Sequence, residues 1–105
     1  MTKKHKLTAV EVLKKARYNV REPKRWVQGA RSVQVGEVRC YCLFGAVDSV
    51  ETQYAQDSPA WAALKQATIE LYGAPPIEFN DRGDTTHRMI LAALDRAIEV
   101  AGKSS

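Results

Sequence analysis

Residues 58–73, SPAWAALKQATIELYG, contain the clearest helix of the sequence together with its start and stop signals. Ser58 is a favoured N-cap, and Pro59 suits the first helical position because its missing N–H is not needed there. Gly73 favours termination because glycine accepts the left-handed conformation of a C-cap. The apolar face that the spacing predicts consists of Trp61, Leu64, Thr68, Leu71 and Tyr72.

Two further helices are predicted on either side of this one. Thr8 and Glu11 have the spacing of a capping box, which predicts a helix from Leu7 to about residue 19 that ends before Pro23. A last helix is expected to begin at a cap formed by Asp84 or Thr85 and to close at residue 102.

The segments between these helices are less regular. Residues 23–36 are expected to be irregular, with a short strand at 33–35, and 77–83 to be a loop. Residues 37–54 alternate like a strand at their start but also show helical spacing, and their length favours a buried helix. The predicted fold is mainly α: a compact bundle of about four helices with an irregular loop, and room for a short strand pair, between helices 1 and 2. It forms one domain, 7–102, between a disordered basic tail, 1–6, and a second tail, 103–105.

Charge is distributed unevenly along the 105 residues. The net charge is +4, but residues 1–39 contain eleven Lys or Arg against three acids, a net +8, whereas the remainder has a net charge of −4. The basic half can attract an acidic protein, nucleic acid or anionic lipid, and the opposite charges of the two halves also allow self-association. No apolar run approaches the roughly 20 residues that span a bilayer, and no export segment follows the basic start. We therefore expect a cytoplasmic protein without a membrane partner.

The best candidate binding surface lies in the basic half. Its members are Lys14, Lys15, Arg17, Arg21, Lys24, Arg25, Trp26 and Gln28. Tryptophan is enriched at interface hot spots, so Trp26 and Gln28 can contribute to recognition. The alternative, which we favour for these two residues, is that Trp26 fills the bundle and Gln28 bonds loop backbone.

Three motifs in order resemble a family of small bacterial and phage proteins of unknown function. They are Trp26-Val27-Gln28-Gly29-Ala30, Tyr41-Cys42-Leu43-Phe44-Gly45-Ala46, and Phe79-Asn80-Asp81 followed by Thr86-His87. The family pattern has tryptophan where this chain has Tyr41 and Phe79, and arginine where it has Thr85. The resemblance covers about residues 8–101 and implies no activity or cofactor, only a cytosolic bacterial or phage setting.

Cys42 and His87 are the first candidates for catalysis, since a thiolate needs a nearby base. Asn80 or Asp81 could orient the imidazole and complete a Cys-His-Asn/Asp set. No nucleophile signature accompanies them, and a cysteine in the middle of a helix is usually a small core residue. Asn80 and Asp81 are expected instead to hold a polar turn.

Metal and cofactor binding are not expected. Cys40 and Cys42 lack the two-residue spacer of zinc motifs, and His5 and His87 are the only histidines. The favoured function is therefore a non-catalytic interaction module that binds a protein partner. A nucleic-acid-binding accessory protein is the first alternative, and a Cys-His hydrolase or transferase is the second.

Overall fold

The computed structural model describes residues 7–51 and 58–103. In chain order the elements are α1 Ala9–Asn19, a single 3-10 turn Pro23–Arg25, strands β1 Ser32–Val35 and β2 Val38–Tyr41, and helices α2 Leu43–Asp48, α3 Pro59–Tyr72, α4 Pro76–Asp81 and α5 His87–Lys103. The expected tail 1–6 and residues 104–105 lie outside the described residues, as do His5 and the end of the predicted helix 37–54.

Helix α1 begins as its sequence predicts. The Oγ1 of Thr8 accepts from the Glu11 amide at 3.1 Å, and a Glu11 carboxylate oxygen accepts from the Thr8 amide at 2.8 Å. Val12, Leu13 and Ala16 are buried on one face. The capping box satisfies two amides that would otherwise be unpaired in the first turn, and the buried stripe directs the charged side chains outward.

The core forms where α5 packs against α3 and α1. Ser58 caps α3 by accepting from the Trp61 amide at 3.1 Å, and Gly73 ends it at a φ of 73°. Leu71, which the spacing placed on the buried face of α3, is 43% exposed. The prediction was wrong at this position, because α3 buries alanines at 60, 63 and 67 in addition to Leu64.

The prediction of a buried helix at 37–54 was wrong for the first part of this segment, which forms a strand. Gly36, at a φ of 60°, forms a tight turn with Glu37, and the strands on either side of it pair antiparallel with Val35 opposite Val38. A glycine at the first position of a two-residue loop favours such a hairpin. The expected strand at 33–35 is confirmed, since it forms most of β1. Helix begins only at α2, which has six residues.

The last third of the chain contains one more helix than predicted. The expected loop 77–83 is largely α4, which begins after Pro75. Its Phe79 ring stacks on Tyr72 with ring centroids 4.5 Å apart. The cap of α5 is Thr86, whose Oγ1 accepts from the Met89 amide at 3.2 Å, and not Asp84 or Thr85. Helix α5 also continues through Lys103, one residue into the expected tail.

The described residues thus form a mainly helical fold with five α-helices and one two-stranded sheet between α1 and α2. A mainly α fold with a strand pair after the first helix agrees with the sequence, although about four helices were expected. None of the helices in 7–51 and 58–103 combines the length and the apolar character needed to cross a bilayer.

Candidate functional site

The lysines of α1 lie on the side of the helix that faces away from the core. Lys14 and Lys15 are exposed, and the ring of Tyr18, one turn further on, is 62% exposed. Together with Asn19 and Val50 they line an open groove of about 360 Å³. Positions three and four apart are neighbours on a helix surface, so both lysines flank the ring. The groove therefore combines positive charge with an aromatic surface.

Arg21 completes the cationic surroundings of Tyr18. Its guanidinium carbon lies 3.8 Å from the centroid of the Tyr18 ring, and its Nη1 donates to the Tyr18 carbonyl at 2.8 Å. A guanidinium over a ring face is attracted by the electrons of the ring. The contact holds both side chains in place.

Two other cations of the predicted surface are already paired within the fold. Arg17 binds Asp95 through its Nε at 2.7 Å, and Arg25 binds Glu22 at 2.7 Å. The hydrogen bond from Arg25 lowers the pKa of the Glu22 carboxyl below its usual value. The same surface also contains Lys14, Lys15 and Lys24, which are exposed and make no ion pair with any residue in 7–51 or 58–103. These lysines supply exposed positive charge that no described acid neutralises.

Trp26 and Gln28 are hydrogen-bonded to the C-terminal end of α4. The Trp26 Nε1 donates to the Asn80 Oδ1 at 2.7 Å, and the Gln28 Nε2 donates to the carbonyls of Asn80 and Arg82 at 3.0 and 2.8 Å. Trp26 is partly buried against the core. The bonds of Gln28 to backbone carbonyls agree with the backbone-bonding role that the sequence favoured, and both side chains are hydrogen-bonded within the fold.

Asn80 joins the three motifs quoted above. Its Oδ1 accepts from the Leu43 amide at 3.0 Å as well as from Trp26, and its Nδ2 donates to the Val27 carbonyl at 3.1 Å and to the Asp81 Oδ1 at 2.9 Å. The side chain is 1% exposed. Because a buried amide must find partners for both of its ends, Asn80 fixes the loop 26–28 and the start of α2 relative to α4.

Asp81 and Cys42 line a second cavity, of about 220 Å³. The Asp81 Oδ1 accepts from the Gly29 amide at 2.9 Å, and the Cys42 Sγ accepts from the Gly45 amide at 3.3 Å. Cys42 is the N-cap of α2, not a residue in the middle of a helix as the sequence suggested. The other lining residues described are Gly29, Ala30, Arg31, Phe44, Ile77 and Asn80.

His87 has different neighbours from Cys42. Its Nε2 is hydrogen-bonded to the Val20 carbonyl at 2.6 Å, and its ring centroid lies 6.3 Å from that of Trp26. No hydrogen bond joins the Cys42 sulfur to the His87 ring in the described part of the chain, and His87 is not among the described lining residues of the Cys42 cavity. The structure brings Cys42, Asn80 and Asp81 together and places His87 at the first position of α5.

The binding surface predicted from the sequence includes neither Tyr18 nor Arg31. Tyr18 stands four residues after Lys14, and this spacing is the sequence signal that could have placed the two side chains on one helix face. Arg31 lies with its guanidinium carbon 4.9 Å from the Phe44 ring centroid, across a gap in sequence that no local pattern reveals. Within the described ranges, no group of three or more His, Cys, Asp or Glu side chains is arranged to hold a metal ion.

Comparisons with known proteins agree with the resemblance found in the three motifs. The model of DUF6197, a family of unknown function, matches residues 4–100. No curated protein and no solved structure matches the chain. Since the match extends over nearly the whole sequence, the chain belongs to DUF6197, a family of unknown function.

Proposed function

We propose that this chain is a non-catalytic interaction module that binds an acidic protein through a basic face formed by Lys14, Lys15, Tyr18 and Arg21. The observation that carries the proposal is the largely exposed Tyr18 ring, with a guanidinium stacked on it and two exposed lysines beside it that make no ion pair with the described residues. Tyrosine and arginine are among the residue types enriched at the energetic hot spots of protein interfaces, because they combine apolar contact area with hydrogen bonding.

The shape of the groove supports a protein rather than a uniformly charged polymer. Val50 adds an apolar side chain to the lining that contains the two lysines, which suits a carboxylate next to an apolar side chain. Arg17 and Arg25, which would extend the positive surface, are neutralised by Asp95 and Glu22. The charge available to the partner is therefore local, as a short acidic segment requires.

The proposal is tested by affinity capture from nuclease-treated host lysate with the wild-type chain and two double variants. Lys14→Glu/Lys15→Glu reverses the charge of the basic face, and Lys65→Glu/Lys103→Glu makes the same change at exposed lysines on α3 and α5. We expect the amount of each protein that both the wild type and the control variant capture to be about tenfold lower with Lys14→Glu/Lys15→Glu, because charges at the rim of an interface govern association. Equal capture by both variants would contradict the proposal.

Nucleic-acid binding is the second candidate, and the exposed Tyr18 ring favours it. A base can stack on an aromatic ring while neighbouring cations contact phosphates. With Lys14, Lys15 and Arg21 involved, log K for single-stranded DNA should fall against log salt with a slope of about −2. Binding that the Lys14→Glu/Lys15→Glu variant retains, or that does not change with salt, would reject this candidate.

The Cys-His hypothesis is not proposed further. His87 is bonded to the Val20 carbonyl, and the sulfur of Cys42 is bonded to the Gly45 amide. Asn80, which was to orient the imidazole, uses its amide for Trp26, Leu43, Val27 and Asp81.

A further inference from the structure

The hairpin between α1 and α2 has one edge covered and one edge open. On the covered side, the Tyr41 carbonyl of β2 accepts from the Val27 amide at 3.0 Å, and Trp26 forms an isolated bridge with Tyr41. On the other side lies β1, in which Val33, Gln34 and Val35 are all exposed. The sheet has only these two strands within the described residues, so β1 is an edge strand.

The hydrogen-bond register fixes which backbone groups of β1 point outward. The Cys42 amide donates to the Arg31 carbonyl at 3.1 Å, in the same register that pairs Val33 with Cys40 and Val35 with Val38. Along an antiparallel pair, the backbone N–H and C=O groups of successive residues point alternately toward the partner strand and away from it. Val33 and Val35 therefore form backbone hydrogen bonds to β2. The N–H and C=O of Ser32 and Gln34 therefore point away from the hairpin, and no hydrogen bond to them is present within 7–51 and 58–103.

The side chains of β1 divide by face. Val33 and Val35 are 37% and 60% exposed and stand on the face that they share with Val38. Gln34 stands on the opposite face, directly across from the exposed Arg39, whose Nη1 donates to the Ser32 Oγ at 3.2 Å. The open edge thus offers two outward peptide groups, an apolar face and a cationic face.

We propose that β1 is a docking edge for an extended acidic segment of a partner protein, which adds to the hairpin as a third strand. Outward amides and carbonyls at Ser32 and Gln34 supply the backbone hydrogen bonds that make such strand addition favourable. Alternate side chains of the added strand contact Val33 and Val35 on one face and approach Arg39 on the other. The proposal does not rest on the basic face of α1 and concerns a separate surface.

Charge decides between a foreign strand and a second copy of this chain. Arg39 lies on β2, directly across from Gln34 of β1, and makes no ion pair with any residue in 7–51 or 58–103. Arg31, the residue before β1, is already paired with Asp48 at 3.4 Å. Pairing β1 with β1 of another copy would place the Arg39 side chains of both copies in one four-stranded sheet and would give neither of them an acidic partner. An acidic strand beside β1 meets Arg39 with opposite charge.

The test uses a fluorescein-labelled seven-residue peptide of alternating valine and glutamate, with a valine–lysine peptide as the charge control. Gln34→Pro removes the outward N–H of β1 without removing a hydrogen bond to β2, because proline is tolerated at an outward-facing edge position. The matched control is Gln34→Ala, which changes the side chain and keeps the amide. Binding is measured by fluorescence polarisation.

We expect the wild type and Gln34→Ala to bind the valine–glutamate peptide at least about tenfold more tightly than Gln34→Pro does, because the proline removes one backbone hydrogen bond and blocks the edge. The peptide should also slow hydrogen exchange at the amides of Ser32 and Gln34. Unchanged protection of the Val33 and Val35 amides in Gln34→Pro shows that the hairpin is intact. A second variant, Val35→Glu, should weaken binding without changing the backbone.

Three results would overturn the proposal. One is no saturable binding of the valine–glutamate peptide to the wild type, and another is equal binding to Gln34→Pro with the hairpin intact. The third is a dimer in light scattering that Gln34→Pro abolishes, because the occupant of the edge would then be a second copy.

Discussion

At the scale of single residues, Asn80 has the largest structural role of the candidate site residues. It was predicted as a turn residue or as the group that orients a catalytic imidazole. In the fold it is buried, and it binds Trp26, the Leu43 amide and the Val27 carbonyl. A local turn residue would bond its own loop, whereas two of these partners lie more than fifty residues away in the sequence.

Replacing Asn80 by alanine should destabilise the fold strongly. The Asn80→Ala variant leaves the Trp26 indole N–H and the Leu43 amide without their acceptor, so we expect a loss of about 3 kcal/mol in the free energy of unfolding. Urea denaturation measures this loss. Asn19→Ala is the matched control, because Asn19 donates to the Ser49 Oγ on an exposed surface and should cost less than about 1 kcal/mol. Similar losses in the two variants would contradict the role assigned to Asn80.

Gly45 shows how a residue can be constrained by a distant part of the chain. A Cβ at this position would collide with the carbonyl of Arg31. The close neighbour of Gly45 is therefore the backbone that precedes β1, and a side chain at this position of α2 would push the two segments apart.

At the scale of elements, segment 37–48 shows where local pattern reasoning fails. Val38, Cys40 and Cys42 alternate, and Cys42 to Ala46 also fits a helix, since the segment contains a strand followed by a helix. No single period describes this stretch, because a strand and a helix follow each other within it. The Gly36 turn closes the hairpin and Cys42 caps the helix, which separates the two elements.

The start of α5 supplies a test at the element scale. Thr86→Ala removes the hydroxyl that accepts from the Met89 amide, and loss of an N-cap should lower the free energy of unfolding by about 1 kcal/mol. Asp84→Ala removes the carboxylate that the sequence offered as a cap but that pairs with Arg82 on an exposed surface. It should cost less than about 0.5 kcal/mol, as exposed ion pairs do. A larger loss from Asp84→Ala in urea denaturation would overturn the assignment of Thr86 as the cap.

At the scale of the whole molecule, ion pairs connect helices that are distant in sequence. Arg96 on α5 donates to both carboxylate oxygens of Glu70 on α3, at 2.7 and 3.2 Å, and Arg17 on α1 reaches Asp95 on α5. These pairs join the outer sides of helices whose inner sides form the core. They are exposed, so their contribution depends on salt and pH.

The Glu70–Arg96 pair predicts a defined pH dependence. The hydrogen bond from Arg96 lowers the pKa of the Glu70 carboxyl below its usual 4.5 in the folded chain. The stabilisation is therefore present above the unfolded pKa and is lost as the pH falls through the lower folded value. Glu70→Gln should reduce the loss of unfolding free energy between about pH 6 and about pH 3.

Urea denaturation across that pH range measures the effect. Glu37→Gln is the control, because Glu37 is exposed in the hairpin turn and makes no ion pair with the described residues. If both variants follow the wild-type pH profile, the pair does not contribute to the acid sensitivity.

The sequence by itself determined the features that depend on neighbours within a few residues. The capping box of Thr8, the Ser58 and Gly73 ends of α3 and the short strand at 33–35 were all found, because caps, turns and periodic faces are set by local backbone chemistry. The tertiary structure alone decided that Asn80 joins three motifs, that His87 bonds to Val20 rather than to Cys42, and that β1 is left with an open edge. These outcomes depend on contacts between residues far apart in the chain. Buried polar groups must find hydrogen-bond partners, and no local sequence pattern shows which distant residues will supply them.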